Sequence, residues 1–134
     1  MERIATLLAY SSQMAVEIGQ QPMDASLADL PRLQILAETI QQVGDESQQR
    51  LALQAVGMSL GQVLATQDGD YDWWMIDDEN GRDPCLRYLQ TDLLVFPQTL
   101  ISRRVEEGEA VRVEELYQQI IAQLNNVVEK QLNA

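Results

Sequence analysis

The residues of this chain whose spacing comes nearest to a known chemistry are carboxylates. Asp68, Asp70, Asp72 and Glu79 stand at positions one, three, five and twelve of a calcium-binding loop. Position six of such a loop must be glycine for its sharp turn, and here it is Trp73. The segment also reads as the entry to a strand, so a solvated acidic turn is expected and no metal site is assigned. A second group, Asp77, Asp78, Glu79 and Asp83, surrounds Arg82. Acid–base work by paired carboxylates needs a cleft that drives their pKa values apart. A hairpin tip is usually exposed. An enzyme using Asp77, Asp78 and Asp83 is therefore the alternative reading, and no catalytic residue is assigned.

Other reactive groups are scarce. The chain has no histidine, which removes histidine general bases and the Ser–His and Cys–His pairs. Zinc sites built on Cys and His go with them. Cys85 is the only cysteine and stands among strand-forming apolar residues, where a thiol packs as a small hydrophobe. Glycine-rich phosphate loops are missing, and no cofactor is implied.

What remains is a grouping of tryptophan and arginine. Both tryptophans, the only phenylalanine and four of the eight arginines fall between Tyr71 and Arg104. Trp74 and Arg87 are expected to face one another across a hairpin, with Arg82, Arg103 and Arg104 nearby. A cross-strand Trp–Arg pair stacks, and these two residue types anchor interfaces. The plainer reading is that Trp74 packs under a helix and Arg87 covers it with its aliphatic stem.

The elements that position these residues follow from periodicity. Ile4, Leu7, Leu8, Met14, Ala15 and Ile18 recur at helical spacing and Gly19 ends the run. A second helix opens near Asp29, an N-cap candidate, and Gly44 follows it. Asp45 then caps a third helix to about Thr66, with Leu51, Val56, Met58, Leu60, Val63 and Leu64 inward. Gly57 and Gly61 cost that helix about 1 kcal/mol each relative to alanine. The notch they leave points to close packing within the domain rather than to a dimer seam.

Tyr71–Asp78 reads as an aromatic strand, and Asn80-Gly81 is the strongest short signal for a hairpin. A two-residue turn there pairs Glu79 with Arg82 and Trp74 with Arg87. One hairpin face is then Trp73, Met75, Leu86 and Tyr88; the other is Trp74, Ile76, Cys85 and Arg87. A third strand, Leu93–Phe96, stops at Pro97, a helical turn covers 98–105, and a final helix runs from Val113 to about Gln131. The fold class is α+β: N-terminal helices, a small antiparallel sheet with an Asn-Gly hairpin, and a C-terminal helix packed on the sheet.

The 134 residues suit a single domain. No apolar run reaches the roughly 18–20 residues of a membrane span, and the N-terminus lacks the pattern of a signal peptide. With one cysteine, cytoplasmic residence is expected. The net charge is −12, unevenly placed. Residues 1–81 hold 13 acids against three arginines, whereas residues 82–112 hold five arginines against five acids. Such a balance repels a phosphate backbone, so nucleic acid is not an expected partner.

Several segments together resemble a bacterial family, Domain of Unknown Function 3806. They are LQAVGMSLGQVL, then Trp73 through DDENGRDPCLRY, then LLVFPQTLISRRVEEGE. The resemblance spans about residues 29–121. Matching positions are Trp73, Asp78, Gly81, Arg82, Arg87, Phe96, Pro97, Ile101 and Arg104. Asn80 and Trp74 depart from it, where the family pattern carries an aromatic and an aliphatic residue. The resemblance implies a fold and no activity.

The reading is a small acidic protein-interaction module, chaperone-like or immunity-like, with binding residues Trp74, Arg82, Arg87, Arg103 and Arg104. A structural homodimer is a further alternative.

Overall fold

The computed structural model describes residues 2–67, 71–79, 81–88 and 94–132. Helices α1 (Glu2–Glu17), α2 (Asp29–Ile40) and α3 (Glu46–Gln67) come first. Strands β1 (Tyr71–Asp78), β2 (Gly81–Tyr88) and β3 (Leu94–Val95) follow, then α4 (Pro97–Glu106) and α5 (Val113–Leu132). Both β1–β2 and β2–β3 pair antiparallel, in the order β1-β2-β3. The α+β expectation holds. No helix among the described residues is long and apolar enough to cross a membrane.

The helix α3 is the axis of the molecule. From Ala52 to Leu64 it is buried almost all round, as a helix hydrophobic on every side must be. Asp45 caps it as expected: its Oδ1 accepts the Gln48 N–H at 2.8 Å. Leu51 departs from the expected inner face and is 48% exposed. It sits a turn before the Ala55–Met58 patch that packs with Ile4 and Leu7 of α1.

Asp29 does not cap α2 in the ordinary sense. The position before the helix is Ala28, with no side-chain cap. The Asp29 carboxylate, 1% exposed, instead reaches back into the loop. Its oxygens accept the Asp24 N–H at 3.2 Å, the Ala25 N–H at 2.8 Å and Arg32 Nη1 at 3.0 Å. Three donors offset the cost of burying that charge. They also hold Ala25 at φ +64°, a left-handed conformation unusual for alanine.

The hairpin register differs from expectation by two residues. Trp74 pairs with Cys85, Trp73 with Leu86 and Asp78 with Gly81, so Gly81 stands in the ladder rather than in the turn. Asn80 lies outside the described residues. A slip of two keeps every side chain on its face, so both expected faces survive while the partners change. In the observed register Tyr71 opposes Tyr88, and their rings meet edge to face at 5.3 Å. Pro84 is tolerated in β2 because β3 is short: the β2–β3 pairing involves only Leu86 and Arg87. The third strand is Leu94–Val95, with Leu93 outside the described residues, and the expected helical turn is the ten-residue α4.

The sheet is covered on one face. Trp73, Met75, Tyr88 and Val95 pack against the helical core, in which Tyr71 and Leu86 are themselves buried. The Trp73 indole N–H donates to Gln62 Oε1 of α3 at 2.9 Å. Leu116, Tyr117 and Ile120 of α5 join the same core. Gln34 ties α2 to the start of α5, its amide donating to the Val111 carbonyl at 3.0 Å and accepting the Val113 N–H at 2.8 Å.

Close packing of α3 on α4 explains the two helix glycines. A Cβ at Gly57 would overlap the Pro97 carbonyl oxygen, and one at Gly61 would lie 2.6 Å from Pro97 Cγ. Alanine at 57 gains about 1 kcal/mol of helix propensity, but a backbone carbonyl cannot move aside cheaply. Overpacking costs about 1–3 kcal/mol or more. Gly57→Ala is therefore expected to lose about 2 kcal/mol in urea unfolding, and an unchanged or higher midpoint would refute the close approach.

Candidate functional site

The structure divides Trp74, Arg87, Arg103 and Arg104, four of the five expected binding residues, between two places. The first is the face of the sheet turned away from the helices. Alternation along β1 and β2 puts Asp72, Trp74, Ile76, Asp83, Cys85 and Arg87 there, and the β2–β3 register adds Leu94. Extending that register one residue brings Phe96 beside Cys85. None of the apolar residues of this face belongs to the helical core. Trp74 is 47% exposed and Phe96 is 40% exposed.

Trp74 and Arg87 are diagonal neighbours rather than direct partners, since Arg87 opposes Asp72. Their contact forms all the same. The Arg87 guanidinium carbon lies 5.2 Å from the Trp74 ring centroid, within reach of a cation–π contact worth about 0.5–1 kcal/mol at an exposed site. Diagonal pairs remain in range for long side chains. The reading that buries Trp74 under a helix is overturned.

The second place is a groove of about 450 Å³ flanking the sheet, between β3, α4 and α5. Arg103 and Arg104, in the last turn of α4, line it with Tyr71, Val95, Leu100 and Ile120. Arg104 Nη1 pairs with Glu109 at 3.2 Å, and Arg104 Nε is buried without a hydrogen-bond partner. Arg103 is exposed. The groove joins segments far apart in sequence, so no motif announces it. Leu94 and Phe96 border both places.

The remaining expectations resolve less fully. Arg82 pairs with Asp77 through the strand register, but its side chain lies outside the described residues, as does that of Asp78. Asp77 and Asp83 are exposed, a geometry that does not bring paired carboxylates into a cleft. Asp68 and Asp70 of the calcium-like spacing lie outside the described residues.

Cys85 is fully buried beneath the open face, opposite Trp74. Burial pushes its thiol above the ordinary value of 9.0, with the nearby Arg87 pulling weakly the other way. A raised thiol pKa favours the protonated folded form. That contribution is present below about 9 and is lost as pH rises through the folded value.

A family model described as a domain of unknown function, number 3806, matches residues 33–117, inside the span that the resemblance predicts. Among curated proteins none matches. The chain is also similar to a crystal structure from Bacteroides thetaiotaomicron VPI-5482, with a TM-score of 0.78 and 17% identity. That similarity covers 90% of this chain and 43% of the other, so the chain spans less than half the length of that protein. At this identity the likeness speaks for the fold.

Cys85 is expected to resist maleimide at pH 8 in the folded protein. Trp74→Ala, which removes the large side chain paired across from it, should speed alkylation toward the rate of the urea-unfolded chain. Equally fast labelling of the native wild type would contradict the burial.

Proposed function

The chain belongs to the family of domain of unknown function 3806, and we propose that it is a protein-binding module whose contact surface is the open face of the sheet. The observation that carries the reading is the half-exposed Trp74 with the Arg87 guanidinium over its ring. Soluble folds rarely leave such a pair uncovered beside a second exposed aromatic, here Phe96, unless something docks there. Tryptophan and arginine are also the residue types that dominate binding energy at interfaces.

The charge balance favours a basic partner. Asp72 and Asp83 are exposed on the same face, and the chain carries −12 overall, which speeds encounter with a positive surface. A bacterial, cytoplasmic protein that sequesters or neutralises such a partner, in the manner of a chaperone or an immunity protein, fits this chemistry.

A homodimer through the same face is the competing arrangement, because exposed aromatics also suit a second copy. Light scattering of the wild type separates the two.

The test uses tagged wild type and the Trp74→Ala and Arg87→Ala variants, each checked by circular dichroism for an unchanged fold. A partner captured from lysate is then purified and titrated against each. Trp74→Ala is expected to cost about 2 kcal/mol, roughly thirtyfold in Kd. Equal affinity for wild type and the double variant would sink the proposal.

A further inference from the structure

Beyond that reading, the groove flanking the sheet has the character of a small-molecule site. We propose that it binds a small amphipathic anion, a carboxylate or phosphate head on an apolar body of about ten heavy atoms. Its volume of about 450 Å³ falls in the range of ligand pockets. The walls offer apolar surface from Val95, Leu100 and Ile120, and one end offers the guanidinium groups of Arg103 and Arg104.

Charge decides which head the groove takes. Glu107 and Glu109 also line it. Glu109 is held by Arg104 Nη1 at 3.2 Å, and Glu107 is exposed. Arg103 has no ion pair among the described residues. The groove's described lining is therefore neutral on a chain of net −12, and it holds a guanidinium that no carboxylate among the described residues occupies.

Arg104 adds geometry to this. A guanidinium presents its donors as a rigid fork, and the Nε–Nη2 edge grips a carboxylate or phosphate with two parallel bonds. Glu109 takes Nη1, on the other side of the fork. Nε is buried with no hydrogen-bond partner. The guanidinium must turn to present that edge to an anionic oxygen in the groove, which Arg103 lines from the adjacent position of α4. The tail lies along Leu100 and Ile120.

The test titrates full-length protein with octanoate and with n-octyl phosphate, followed by calorimetry and by amide chemical shifts. Octanol and inorganic phosphate are the controls, each lacking one half of the proposed ligand. Saturable binding of octanoate or octyl phosphate, with both controls weaker by roughly tenfold or more, is expected. Binding of octyl phosphate alone would assign the head as phosphate. Arg104→Gln should weaken the anion by roughly tenfold, and Thr99→Trp, at an exposed lining position, should block the groove without touching the core. The Trp74→Ala/Arg87→Ala variant should bind octanoate as wild type does, which separates this site from the sheet face. The inference is overturned if neither anion binds, if octanol binds as tightly as octanoate, or if binding survives both Arg104→Gln and Thr99→Trp.

Discussion

The contact of Pro97 with α3 is the constraint on which the rest of the architecture hangs. The Pro97 carbonyl lies over Gly57 and its ring lies against Gly61, so α4 approaches α3 more closely than any side chain would permit. Because β3 runs into α4 through Phe96 alone, that approach also fixes where β3 meets β2. The tip of the Trp73 ring, 3.1 Å from where a Gly61 Cβ would stand, fits the same notch from the sheet side. One pair of glycines thus seats a helix and a sheet together. The cost in helix propensity, about 1 kcal/mol for each glycine, is offset by the packing that the missing side chains allow.

Two surfaces of different character follow from that seating. The helices gather on one face of the sheet, which leaves Trp74, Arg87 and Phe96 on the other. The junction of β3, α4 and α5 opens a groove where α4 ends in two arginines. The resemblance to a family with no assigned activity leaves both surfaces to be judged by their chemistry alone. Their chemistry differs: a face of exposed aromatics with Arg87, Asp72 and Asp83 suits a macromolecule, whereas an apolar groove with a guanidinium fork suits a small anion.

Much of the fold was legible because helical and strand periods leave strong marks. The run from Val113 to Ile121, the Asp45 cap and the two hairpin faces could all be read from residue spacing. Register was not legible, because alternation has a period of two and a slip of two leaves the same faces apolar. The Tyr71–Tyr88 pair, visible only in three dimensions, goes with the register that formed. Asp29 misled for a related reason: a carboxylate at a helix start looks the same whether it caps forward or reaches back. Sequence proximity placed Arg103 and Arg104 with Trp74, but the turn through Phe96 and Pro97 sends them to a different flank. The groove could not have been anticipated, since Tyr71, Arg104 and Ile120 come from three separate stretches.

An open aromatic face has a colloidal consequence as well as a functional one. Copies of this chain carry −12 near neutral pH, and that repulsion, acting over about a Debye length of 8–10 Å, keeps sheet faces from sticking. Near the isoelectric point of about 4.1 the net repulsion vanishes while Trp74 and Phe96 remain where they are. The acidic residues therefore act partly as a dispersant for the exposed face.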